Sequence, residues 1–123
     1  MEVEGVTLSI TRTATDRAVE VAPAGEIDVE NAYLIKDAVA AAMAEGTPSR
    51  IELNMRDVTF IDSVGISALV SAHQVAGISG VKVVVTRPSR FAHRQLWVTG
   101  LLGLFGNPDP HGEGTSQPAV SGT

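Results

Sequence analysis

Residues 81–86, Val-Lys-Val-Val-Val-Thr, are nearly all β-branched, and no other stretch restricts the fold of this chain as much. A run of this kind suits a strand buried on both faces, as in parallel sheets covered by helices. The flanking segments supply such helices. Val29 to Glu45 is rich in helix formers, with Asp28 as a candidate N-cap and Gly46 and Pro48 as a stop. Ala32, Ile35, Val39 and Met43 fall on one stripe of that helix, widened by Leu34 and Ala38. A second helical pattern runs from about Val64 to Ile78, with Ile66, Leu69, Val70, His73 and Gly77 as its stripe. Pro88-Ser89 opens a third helix that carries Phe91, Leu96, Trp97 and Val98 and stops at Gly100; Trp97 and Phe91 are expected in the core. Leu101 to Phe105 is apolar enough to dock as a last short strand or turn.

Period-two patterns mark the other strands. Val6, Leu8 and Ile10 alternate with Thr7, Ser9 and Thr11, and Val19 and Val21 flank Glu20 after a polar stretch, so the two segments read as an antiparallel pair. Ile51, Leu53 and Met55 form a third strand ended by Asp57, and the short apolar step Val58-Thr59-Phe60-Ile61 leads into Asp62-Ser63-Val64-Gly65. The order β-β-α-β-α-β-α predicts a single α/β domain over residues 1–106. Its mixed sheet opens with an antiparallel hairpin, continues through right-handed crossovers and is packed with about three to four helices. A chain of 123 residues has room for one such domain. From Asn107 onward the apolar residues are Ala119 and Val120, alongside Pro108, Pro110 and Pro118, so residues 107–123 are expected to form a disordered tail.

Composition removes several function classes. The net charge of −5 has the wrong sign for neutralising a nucleic-acid backbone, so no direct nucleic-acid contact is expected. The absence of cysteine excludes disulfides, thiolate metal sites and a cysteine nucleophile. No apolar run approaches the roughly 20 residues that span a bilayer, and the acidic start Met1-Glu2-Val3-Glu4 does not resemble a signal peptide; a cytoplasmic protein without membrane contact is expected. His73, His93 and His111 lack metal-ligand spacing, Gly77-Ile78-Ser79-Gly80 and Gly100-Leu101-Leu102-Gly103 lack the Gly-Lys-Ser/Thr ending of a phosphate loop, and no GxSxG elbow surrounds Ser63. No catalytic residue, metal or cofactor is expected.

The informative segment is Phe60-Ile61-Asp62-Ser63-Val64-Gly65-Ile66. A strand end followed by Asp-Ser and a helix puts Ser63 at or beside the N-cap, where its hydroxyl can satisfy an orphan N–H. The same place is exposed and favours anions, so the hydroxyl can also carry a phosphate.

In the order Gly25-Glu26-Ile27-Asp28, then Ile51 to Asn54 with Asp57, then Asp62-Ser63-Val64-Gly65-Ile66, then Val98-Thr99-Gly100-Leu101 with Leu104-Phe105, the chain resembles the STAS-domain anti-sigma factor antagonists over about residues 6–105. The resemblance implies a switch protein and not an enzyme. Unphosphorylated, it would bind an anti-sigma factor that is also a serine kinase of the histidine-kinase-like ATP-binding fold, and so release a sigma factor. Phosphorylation of Ser63 would switch it off, and a PP2C-type phosphatase would reverse this.

By the same resemblance Asp62 would orient the hydroxyl or contact the partner, and Glu26, Asp28, Val64 and Gly65 would line the docking surface. Against these stand plain local roles: a turn residue at Asp62, a helix cap at Asp28, and a packing glycine at Gly65. Two other readings fit the residues. One is a non-phosphorylated STAS adaptor in a lipid-transport or stressosome-type complex. The other is a receiver-like domain phosphorylated on Asp57 with magnesium, although Lys82 opens its strand instead of closing it and no acidic pair follows Ile10.

Overall fold

The computed structural model describes residues 3–4, 8–46 and 48–110. Its sheet is organised around one long strand. β1 (Val3–Glu4) pairs antiparallel with β2 (Leu8–Ala14), and β2 pairs antiparallel with β3 (Ala18–Ile27) from Leu8 opposite Gly25 to Ala14 opposite Val19. The Thr15 hydroxyl and backbone N–H both donate to the Ala18 carbonyl and close this hairpin.

β3 runs parallel to two further strands in succession. Ala18–Val21 faces β4 (Arg50–Asn54), and Ala24–Ile27 faces β5 (Asp57–Ile61) across an irregularity between Gly25 and Glu26. β4 pairs in parallel with β6 (Lys82–Thr86), giving a six-stranded mixed sheet of order β1-β2-β3-β4-β6 with β5 beside β3. Helices α1 (Tyr33–Ala44) and α2 (Ser63–Ile78) occupy the connections β3–β4 and β5–β6, and α3 (Arg90–Val98) follows β6, with a 3₁₀ turn after it at Gly103–Phe105. Mixed α/β architecture with an opening hairpin is what the sequence patterns predict.

Alternation decides which face is dry. Registration puts Ile10, Val21, Leu53 and Val85 on one side of the sheet with Leu8, Val19, Ile51 and Val83, and all eight are buried. Ile35, Val39 and Ala42 of α1 and Leu69, Ala72 and Ala76 of α2 complete that core.

Five expectations need correction. β6 is not buried on both faces: Val83 and Val85 are covered, Lys82 is exposed, and Val84 is half-buried beside the turn at Gly106. The step Val58 to Ile61 is itself a strand, held by backbone pairing to β3. α1 begins at Tyr33 instead of Val29, after a turn over residues 29–32. Along α2 the buried positions are Gly65, Ile66, Ala68, Leu69, Ala72 and Ala76, while Gly77 is exposed and His73 is half-buried, edge-on to Phe105 at 5.6 Å.

The fifth concerns Trp97, which is 64% exposed rather than in the core. Successive helical residues point about 100° apart, and in α3 Leu96 takes the inward position. Residues 107–110 have no regular structure, and the rest of the expected tail, 111–123, lies outside the described residues. Among the described residues no helix is long and apolar enough to cross a membrane.

Candidate functional site

Ile27 and Ile61 are opposite one another in register, so β3 and β5 release their following loops side by side at the C-terminal edge of the sheet. In open α/β sheets this is the edge where ligands and partners are met. The Asp62 backbone N–H donates to the Ile27 carbonyl at 3.1 Å and ties the two exits together.

The first loop is built on two short polar side chains. Asp28 Oδ1 accepts from the Glu30 N–H at 3.0 Å, and the Asp28 carbonyl accepts from Asn31 and Ala32. Asp28 therefore fixes a turn ahead of α1, whose own N-cap, Ala32, makes no side-chain bond. Asn31 locks the turn from beneath. Its Oδ1 accepts from the Asp28 N–H and its Nδ2 donates to the Glu26 carbonyl, both at 2.9 Å, and at 5% exposure it is the buried polar residue of the described core. Sequence reading passed over Asn31 because it lay inside a segment read as uniform helix; the signal available was an Asx residue three positions after another, a spacing that favours side-chain closure of a turn.

The second loop carries the Asp-Ser step. Asp62 is the N-cap of α2: its Oδ1 accepts from the Gly65 N–H at 2.9 Å, and its carbonyl accepts from Ile66. With Asp62 in that role, Ser63 is left as the first residue of the helix, exposed, with no hydrogen bond from its hydroxyl among the described residues. The capping role open to Ser63 in the sequence belongs to its neighbour.

Gly65 is where the helix meets the sheet. A Cβ there would lie 2.6 Å from Ile61 Cγ1 and 2.8 Å from Ile27 Cγ2, both buried side chains. Only glycine lets the first turn of α2 approach the ends of β3 and β5 this closely, and that approach is what holds Ser63 at the edge.

The structure thus brings together Glu26, Asp28, Asp62, Ser63 and Val64 on one edge, with Gly65 buried beneath them. Exposed apolar side chains lie among the carboxylates: Val29 and Tyr33 after Asp28, Phe60 at the end of β5, and Val64 at 42% exposure. Ser67, one turn further along α2, faces solvent. Among the described residues no group of three His, Cys, Asp or Glu side chains is placed to hold a metal. Asp57 opens β5 instead of ending a strand, pairs with Arg56 at 3.6 Å, and lies at the far end of β5 from Ser63; the receiver-like reading loses its geometry there.

A STAS domain family model matches residues 9–114, and the chain belongs to that family. Among solved structures, an anti-sigma factor antagonist from Mycobacterium paratuberculosis is similar with a TM-score of 0.74 at 23% identity, over 87% of this chain and 89% of that one. TM1081 of Thermotoga maritima, a candidate anti-sigma factor antagonist, gives 0.71 at 27% identity over 81% and 86%. The Bacillus anti-sigma factor antagonist SpoIIAA in its unphosphorylated form gives 0.68 at 19% identity over 85% and 89%, and in its phosphorylated form 0.63 at 19% over 85% and 92%. No curated protein sequence matches the chain.

Proposed function

We propose that this chain is an anti-sigma factor antagonist. Its unphosphorylated form binds an anti-sigma factor that is also a serine kinase of the histidine-kinase-like ATP-binding fold, and a sigma factor is released. Phosphorylation of Ser63 by that kinase ends the interaction, and a PP2C-type phosphatase restores it. The protein acts as substrate and ligand in the cytoplasm, with catalysis left to its partners.

One observation carries this reading: the Ser63 hydroxyl is exposed and unpartnered at the start of α2, in the Asp-Ser-x-Gly segment, among acidic and apolar side chains. Its likeness to SpoIIAA in both phosphorylation states is further support. The electrostatics have the required sign. A phosphate adds about −1.5 to −2 charges at pH 7. The helix terminus favours them by about 0.3–1 kcal/mol. Enclosing a dianion and the carboxylates of Glu26, Asp28 and Asp62 against a partner costs on the order of several kcal/mol where no cation meets them. Each ~1.4 kcal/mol is tenfold in affinity, so a surface modification suffices to abolish binding.

The test is incubation with a candidate kinase of that fold and ATP, followed by intact mass and site mapping of the wild type and Ser63→Ala. One phosphate on Ser63, absent from the variant, is expected. Ser63→Asp should bind the anti-sigma factor at least tenfold more weakly and Ser63→Ala about as well as the wild type. Phosphate on another residue, or full-strength binding by Ser63→Asp, refutes the switch.

A further inference from the structure

The solvent face of α3 plays no part in the proposed switch, yet it carries exposed basic and aromatic side chains. Arg90, Arg94 and Trp97 recur at i, i+4 and i+7 and are all exposed, and exposed Arg87 and Val98 extend the same surface. Neither Arg87 nor Arg94 has an ion-pair partner among the described residues. Charge is segregated along the chain: between Asp62 and Asp109 every charged residue is basic, namely Lys82, Arg87, Arg90 and Arg94, within a protein of net charge −5.

The complement of this face lies on the same molecule. Glu26, Asp28, Glu30 and Asp62, with exposed Val29 and Tyr33 among them, form an acidic and apolar edge. The two surfaces adjoin: Phe60 is opposite Glu26 in the sheet register, and its ring lies 5.5 Å from that of Phe91 in α3. A surface with neighbouring patches of opposite sign, each carrying exposed apolar side chains, is self-complementary. A two-fold axis can set the positive patch of one molecule on the negative patch of the other twice over.

We propose that the α3 face docks a second copy of this chain in a closed two-fold pair, with Arg87, Arg94 and Trp97 of one molecule against Glu26, Glu30 and Tyr33 of the other. Arginine and tryptophan are the residue types that most often dominate association energies, and charge complementarity fixes the register and speeds the encounter. The pair covers the Ser63 edge, so self-association competes with any partner that docks there.

Sedimentation of the full chain over a concentration series tests the proposal. In low salt a reversible rise to twice the monomer mass is expected, reversed in high salt as the exposed charges are screened. Glu26→Lys/Glu30→Lys and Arg94→Glu/Trp97→Ala should each remain monomeric alone, because each sets like charges together. An equimolar mixture of the two should recover a heterodimer. A wild type that stays monomeric throughout, species larger than a dimer, or variants that pair as the wild type does would each overturn the closed pair. No kinase or anti-sigma factor enters these measurements, so their failure leaves the proposed switch untouched.

Discussion

Gly65→Ala sets two effects of opposite sign against each other. In a helix, alanine is favoured over glycine by about 0.8–1 kcal/mol, so propensity alone predicts a more stable protein. The new methyl group, however, would stand 2.6 Å from Ile61 Cγ1, 2.8 Å from Ile27 Cγ2 and 3.2 Å from Ile61 Cδ1. Carbon atoms in contact settle at about 3.5–4.0 Å, so the overlap approaches ~1 Å against two side chains. Those side chains are buried in a core whose packing leaves little slack. Overpacking costs about 1–3 kcal/mol, and an overlap this large against two side chains puts it at about 2–3 kcal/mol, above the propensity gain. A net loss of about 1–2 kcal/mol lowers Tm by roughly 5–15 °C in a domain of this size. Gly77→Ala in the same helix is the control. Nothing lies within 4 Å of its Cβ position, so it should gain about 0.5–1 kcal/mol. Thermal unfolding followed by circular dichroism reads both. A Gly65→Ala protein that melts with or above the wild type would show that the close approach of α2 to β3 and β5 is not enforced by this glycine.

Two further substitutions probe the loops at the same edge. Asp62→Ala removes the side-chain cap to the Gly65 N–H and should cost about 1 kcal/mol in urea unfolding, whereas Asp62→Asn, which keeps an acceptor, should recover most of it. Asn31→Ala leaves the Asp28 N–H and the Glu26 carbonyl without their side-chain partner, and should lose on the order of 2–3 kcal/mol; a change no larger than that of an ordinary surface substitution would show that the turn does not depend on Asn31.

The hairpin is legible because its period is clean, and the start of α2 because of its Asp-Ser step. Leu8 and Ile10 alternate without interruption, as do Val19 and Val21, and Asp62-Ser63 marks the start of α2 to within a residue. β5 was hidden because Thr59 and Phe60 are both exposed, which breaks the alternation; what makes it a strand is pairing to a distant partner, across an irregularity at Gly25 and Glu26. On α2 the stripe expected from the sequence holds at Ile66 and Leu69 but departs at Val70, His73 and Gly77, where Ala68, Ala72 and Ala76 are covered instead; small side chains let helices approach closely but carry little weight in a pattern of hydrophobic size. The edge residues were nameable from local motifs. Their division of labour was not, because whether Asp62 or Ser63 caps the helix depends on a backbone geometry that Asp-Ser alone leaves open.

That division of labour decides what a charge at Ser63 can do. The cap is made by Asp62, the approach to the sheet by Gly65, and the neighbouring turn by Asn31, while among the described residues no hydrogen bond depends on the Ser63 hydroxyl. Should Ser63 carry a phosphate, nothing that holds the fold is removed. While the edge is open to water, repulsion from the nearby carboxylates is weakened by the high dielectric constant and screened by salt, and the helix terminus returns ~0.3–1 kcal/mol. A docked partner removes that water, and the same charges then interact several times more strongly. On the proposed reading, association at this edge senses the added charge and folding does not.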